Sequence, residues 1–194
     1  MYNASDLRKG LKVEIDDEPY EIVDFEFCKP GKGQALYRCK LKNMLTGGTF
    51  DRTYRSDDKV GKPDLREDDM IFSYVERDKY VFLDATTYEQ VLVDKEMLGD
   101  KTYFLKPDTE CKILFYKDRP VDITLPFFVE DKIAKTEPGV RGDTATNVTK
   151  PAYLENGYEV QVPLFVNEGD IIKIDTRTRS EEHTSELQSL LIIS

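Results

Sequence analysis

The sequence predicts an all-β protein built from three small barrels. Three observations predict it. Apolar residues recur at a period of two through short runs rich in Val, Ile, Tyr and Phe. Turn clusters of Gly, Pro, Asp and Asn separate those runs every six to twelve residues. The apolar fraction of 39% suffices for packed cores, while 194 residues allow two or three domains of that size.

The first barrel is expected over residues 1–63. Ser5–Gly10 reads as a turn or a single helical turn. Lys12–Ile15 is a strand, and Asp16-Asp17-Glu18-Pro19 turns it into a second strand over Tyr20–Phe27. That strand alternates roughly apolar with acidic, and its partner over Ala35–Lys42 alternates apolar with basic. Between them lies Pro30-Gly31-Lys32-Gly33-Gln34. Pro30 pre-sets φ, and Gly31 and Gly33 are expected to supply conformations closed to other residues. Arms of about five residues would lift the Lys32 amine roughly 16 Å from the body, at 3.3 Å per residue. Asn43–Gly48 makes the next turn and Thr49–Tyr54 the next strand. That density of strands within sixty residues describes an SH3-like barrel.

Lys59–Asp64 reads as a boundary, and residues 64–126 as the second barrel. Its strands are Asp69–Glu76, Tyr80–Asp84, Glu110–Tyr116 and Arg119–Leu125. Thr87–Val93 is a further strand or a helix start, and Lys95–Leu98 a short helix ended by Gly99. Residues 127–178 form the third barrel. It has strands over Phe127–Thr136, Tyr153–Phe165 and Asp170–Thr176, with a long polar loop over Glu137–Thr146. The strand density of both later barrels is that of the five-stranded OB fold.

The net charge of −10 is unevenly placed. Residues 28–62 hold nine basic and three acidic side chains, a net of +6, and residues 64–127 nine basic and fifteen acidic, a net of −6. A basic end on an acidic body can dock on RNA while the body is repelled from non-specific sites. No apolar run approaches the roughly 20 residues of a membrane span. The N-terminus has no apolar signal core, and the three cysteines (Cys28, Cys39 and Cys111) stand in no metal spacing. The expected setting is therefore cytoplasmic, without membrane or metal. The chain's one histidine is His183, and no nucleophile stands with a base, so no catalytic residue or cofactor is expected. Lys32 is not in a Walker A loop, which needs four residues between its glycines and a Lys-Ser or Lys-Thr. On its own, a lysine in a glycine-rich hairpin is usually a solvated residue that keeps an edge soluble. The Arg141-Gly142-Asp143 tripeptide and the Asn-X-Ser/Thr pattern at Asn3 and Asn147 carry no weight in a cytosolic chain.

The tail from Arg179 to Ser189, Arg-Ser-Glu-Glu-His-Thr-Ser-Glu-Leu-Gln-Ser, matches a common short-read sequencing adapter read in frame. Residues 179–194 are accordingly read as non-native, with the natural ending missing.

Two groups of motifs carry a resemblance. The first is Lys29-Pro30-Gly31-Lys32-Gly33-Gln34-Ala35, with Lys40-Leu41-Lys42-Asn43 and Leu45-Thr46-Gly47. The second is Gly142-Asp143-Thr144-Ala145, Lys150-Pro151-Ala152, Gly157, Val160–Val166, Gly169-Asp170 and Asp175–Thr178. Over residues 1–178 the chain resembles bacterial elongation factor P. Where that family continues with Gly-Glu-Tyr, this chain has Arg179-Ser180.

The resemblance implies a KOW-type first domain and two OB domains in an L-shaped, tRNA-like arrangement. It implies a monomeric, non-enzymatic translation factor that binds the ribosome between its peptidyl and exit sites, beside peptidyl-tRNA. There it relieves stalling at consecutive prolines. Lys32 matches the tip residue that reaches the tRNA CCA end, which lysine-modifying enzymes extend in many members. Pro30, Gly31, Gly33 and Gln34 brace that loop, and Gly142, Asp143 and Thr144 match a loop that meets mRNA. Arg38, Lys40, Lys42 and Arg52 follow as RNA backbone contacts. The alternatives are a paralogue with another client, separated by a Lys32→Ala strain, or a general single-stranded RNA binder, separated by its affinity for naked RNA.

Overall fold

The computed structural model describes residues 1–31, 33–138, 149–176 and 191–192. Among the described residues it is mainly β, with one α-helical turn over Lys95–Leu98 (α1) and two short 3-10 segments over Ala4–Asp6 and Gly99–Phe104. No helix among the described residues is long and apolar enough to cross a membrane. The chain divides into two compact units, Met1–Asp69 with Lys112–Ile123, and Met70–Cys111 with Thr124–Ser194.

Six strands fall in the first sixty residues: β1 Tyr2–Asn3, β2 Lys12–Ile15, β3 Glu18–Cys28, β4 Leu36–Asn43, β5 Thr49–Arg55 and β6 Lys59–Val60. β2 to β5 form an antiparallel meander in sequence order, and β1 pairs with β6. Val13, Ile22, Leu41 and Ala4 are fully buried between them, with Leu7, Cys39, Tyr54 and Val60 nearly so. Each large apolar side chain so buried contributes about 1.5–3 kcal/mol.

The β2–β3 turn is tighter than the sequence predicts. Asp16 and Asp17 alone make it, both at positive φ (50° and 67°), as two-residue hairpins require. Pro19 therefore lies inside β3, opposite Glu14. Part of the Lys59–Asp64 stretch is itself strand. Lys59 and Val60 pair with Asn3 and Tyr2, and Gly61 bridges to Glu14, so this stretch is tied to β1 and β2. Gly61 is required there, because a Cβ would fall 2.6 Å from the Glu14 carbonyl oxygen.

The next five strands are β7 Leu65–Glu76, β8 Lys79–Asp84, β9 Gln90–Asp94, β10 Glu110–Tyr116 and β11 Arg119–Thr124. Their sheet order is β11-β10-β7-β8-β9. Within the first unit the Lys117-Asp118 turn, again with both residues at positive φ, meets the Asp16-Asp17 turn. The Tyr116 hydroxyl lies 2.8 Å from both Glu14 Oε2 and the Asp17 carbonyl, and Lys117 Nζ lies 2.5 Å from Asp17 Oδ1.

The last sheet runs β14-β13-β12-β15-β16, with β12 Phe128–Thr136, β13 Thr149–Leu154, β14 Glu159–Pro163, β15 Ile171–Asp175 and β16 Leu191–Ile192. The run Tyr153–Phe165, expected as one strand, is two. Gly157 takes φ 81° in a turn between them, and Tyr153 pairs with Glu159. Ala152, Leu154, Val162, Ile172 and Ile174 fill the core. Asp131, 6% exposed, is held 2.8 Å from Lys106 Nζ, which also donates to the Glu130 carbonyl at 3.0 Å.

Candidate nucleic-acid interface

β3 and β4 form the longest ladder in the first unit. They pair from Tyr20↔Asn43 to Cys28↔Leu36 with one shift of register, so the connecting loop is residues 29–35. β2 pairs with β3 only as far as Glu21. From Asp24 onward the ribbon leaves that strand behind. On its other side β5 follows β4 out to the pair Leu36↔Arg55. The projecting arm is thus three strands wide, which the sequence does not foretell. A two-stranded hairpin in water is marginal, and a third strand gives it rigidity.

A bulge marks the root of the arm. Val23 is the extra residue between Ile22↔Leu41 and Asp24↔Lys40. It shifts the alternation of β3, so Ile22 and Phe25 face the same side. On that side Phe25, Phe27 and Tyr37 form an aromatic spine. Ring centroids are 6.3 Å apart for Phe25–Tyr37 and 5.2 Å for Phe27–Tyr37. The signal for this spine, aromatics at i and i+2 opposite Tyr37, is present in the sequence and was masked by the bulge.

The bulge also sorts the charges. The other face carries Arg38, Lys40 and Lys42 on β4. Glu26, Asp24 and Glu21 lie opposite them on β3, and Asp51 lies opposite Lys40 on β5. Arg38 Nη1 reaches Glu26 Oε2 at 3.4 Å, an exposed pair worth about 0–1 kcal/mol. A window over residues 28–62 looks strongly basic because Glu21, Asp24 and Glu26 lie just before it. Arg52, by contrast, is opposite Cys39, and its guanidinium carbon sits 5.3 Å from the centre of the Tyr54 ring. The four basic residues do not form one patch.

The loop is braced at its base. Gln34 Nε2 donates to Asp57 Oδ1 at 3.3 Å, so Asp57 joins the site from the turn after β5. Gly33 lies against Pro30, where an added Cβ would come 3.3 Å from the proline Cγ. Gly31 does not take a left-handed φ, and an added methyl group would meet open space. Its freedom is therefore not what the turn requires at that position. Lys32, and with it Gly142, Asp143 and Thr144, lie outside the described residues.

Burial pushes the Cys39 thiol up to about 11, so it is an inert core residue of the arm's root. Among the described residues no cluster of three or more His, Cys, Asp or Glu side chains could hold a metal ion.

Three family descriptions match in succession: the elongation factor P KOW-like domain over residues 3–60, its OB domain over 65–123, and its C-terminal domain over 123–180. The chain belongs to the elongation factor P family. It is a translation elongation factor. Elongation factor P of Desulforapulum autotrophicum is 53% identical over 178 residues, covering 92% of this chain and 95% of the relative. That of Desulfovibrio desulfuricans is 53% identical over 179 residues, covering 92% and 97%. Among solved structures, translation initiation factor 5A from Methanococcus jannaschii is similar with a TM-score of 0.52 and 25% identity. It covers 64% of this factor and 93% of that chain, so the shared fold spans about two thirds of the elongation factor P architecture.

Proposed function

We propose that this factor enters the ribosome between the peptidyl and exit sites and places the loop of residues 29–35 against the CCA end of peptidyl-tRNA. It would thereby speed peptide-bond formation at consecutive prolines. The observation that carries the reading is the three-stranded arm. A ribbon of β3, β4 and β5, stiffened by the Phe25–Tyr37–Phe27 spine, holds a seven-residue loop beyond the end of β2. Membership of the elongation factor P family supports it.

The chemistry needs orientation. Prolyl residues react slowly because the ring fixes φ and burdens the nitrogen. A factor that holds the peptidyl-tRNA end in a productive geometry lowers that barrier without contributing a reacting group, by part of the roughly 7–11 kcal/mol that ideal positioning can supply. A lysine at the tip offers a flexible cation with three donors for phosphate or 2′-hydroxyl oxygens. An enzymatic extension of Lys32 would add reach.

The remaining assignments belong to the same proposal. Gly142, Asp143 and Thr144 would meet mRNA. Arg38, Lys40 and Lys42 would reach an RNA backbone only by leaving their cross-strand acids, and Arg52 would do so from the opposite face. The domain limits 1–63, 64–126 and 127–178, with residues 179–194 set apart, belong to the same proposal, and the three matched segments over 3–60, 65–123 and 123–180 support a division into three.

The test is the rate of Pro-Pro bond formation on reconstituted ribosomes. Adding the factor should raise the rate at least tenfold on a triple-proline template and leave an all-Phe template unchanged. An equal effect on both templates contradicts the reading.

A further inference from the structure

At the foot of the first sheet is an open cleft of about 420 Å³, lined by Arg8, Lys9, Lys12 and Lys62 around Tyr2, Leu65 and their neighbours. No acidic residue lines it. None of the four cations has a carboxylate within 4.0 Å among the described residues. Elsewhere Arg38 stands beside Glu26, Lys106 beside Asp131 and Lys117 beside Asp17. In a chain of net charge −10, this cleft gathers four cations with no acid among its lining residues.

The fold builds this cluster from two distant stretches. The Leu7–Leu11 turn is fixed by Gly10 at φ 84°, whose N–H donates to the Ile22 carbonyl at 2.7 Å. Tyr2 pairs with Val60, which brings the second stretch alongside. The Glu14 N–H then donates to the Gly61 carbonyl at 2.9 Å, in the close approach that excludes a side chain, and this pins Lys62 at the cleft. Like charges gathered on a rigid backbone repel one another unless an anion joins them. The cleft is open and its cations are long and mostly exposed, which suits a chain of phosphates better than one enclosed ion.

We propose that this cleft is an RNA backbone-binding site, independent of the hairpin loop, that takes two or more consecutive phosphates of a single strand with a base or ribose resting on Tyr2 and Leu65.

The test is fluorescence anisotropy of labelled hexauridylate with the full chain over a range of salt. Lys9→Gln/Lys62→Gln should weaken binding about tenfold and reduce the log–log salt slope by about 1.4, at 0.7 per phosphate contact in single strands. Lys59→Gln/Lys95→Gln removes the same charge elsewhere and should change affinity less than twofold. All four substitutions are at exposed side chains, and circular dichroism melting of each variant establishes that it folds. The ribosomal reading is tested by the rate of Pro-Pro bond formation and this site by hexauridylate binding, so failure here is separable from failure of that reading. Equal weakening by the two double variants, or no binding by the parent, overturns the site. Displacement by uridine monophosphate as effective as by hexauridylate, at equal nucleotide concentration, makes it a mononucleotide pocket and overturns the backbone assignment.

Discussion

The phenol oxygen of Tyr116 lies 2.8 Å from a carboxylate oxygen of Glu14, 102 residues away in sequence. The same oxygen is 2.8 Å from the Asp17 carbonyl, and the hydroxyl proton serves one acceptor at a time. Tyr116 is buried, so losing its hydroxyl leaves acceptors with less solvation than water gives. Tyr116→Phe should cost about 1–2 kcal/mol in urea unfolding. A loss below about 0.3 kcal/mol would show that water replaces the contact.

Gly61 should tolerate no side chain. A Cβ there falls 2.6 Å from a backbone oxygen, which cannot swing aside as a flexible side chain would. Gly61→Ala should cost about 2–3 kcal/mol, whereas Gly31→Ala, where a methyl group meets open space, should cost under about 0.5 kcal/mol. Thermal melts of the two variants check the contrast.

The buried thiols set an alkaline limit. Burial raises Cys39 to about 11 and Cys111 to about 12, from an ordinary value of 9.0. The unfolded chain loses these protons first, so their contribution is whole below pH 9. It falls as pH rises to 11 for Cys39 and to 12 for Cys111. Each group adds a slope of about 1.4 kcal/mol per pH unit within its window. Urea midpoints at pH 9 to 11 should fall less steeply in Cys39→Ala than in the parent. Parallel lines would contradict the assignment.

Much of the fold is legible in sequence because period-two patterning and turn chemistry are local. The Lys117-Asp118 hairpin, the helical turn ended by Gly99 and the Pro30–Gln34 loop can all be read that way. What escapes is non-local. The Val23 bulge turns an irregular alternation into a spine of Phe25, Phe27 and Tyr37 and an acidic row facing Arg38, Lys40 and Lys42. Charge counted along the chain makes residues 28–62 basic, whereas cross-strand register sets Glu21, Asp24 and Glu26 against them. The cleft at Arg8 and Lys62 is invisible for the same reason, since β1–β6 pairing creates it.

That register has a consequence for RNA. If Asp24 and Asp51 restrain Lys40, then Asp24→Asn/Asp51→Asn should free it. Affinity for RNA should rise about three- to tenfold and the salt slope should steepen by about 0.7. Nitrocellulose filter binding across 50–200 mM salt reads both. An unchanged slope would mean that Lys40 does not touch phosphate.

The central claim is that the arm delivers its loop to the CCA end of peptidyl-tRNA. Imaging this factor on a ribosome stalled at consecutive prolines tests it most directly. The account predicts density for residues 29–35 against the terminal adenosine of the tRNA, with the Lys32 side chain directed at its ribose or phosphate. A complex in which that loop faces solvent, or rests on ribosomal protein away from the tRNA end, would contradict it.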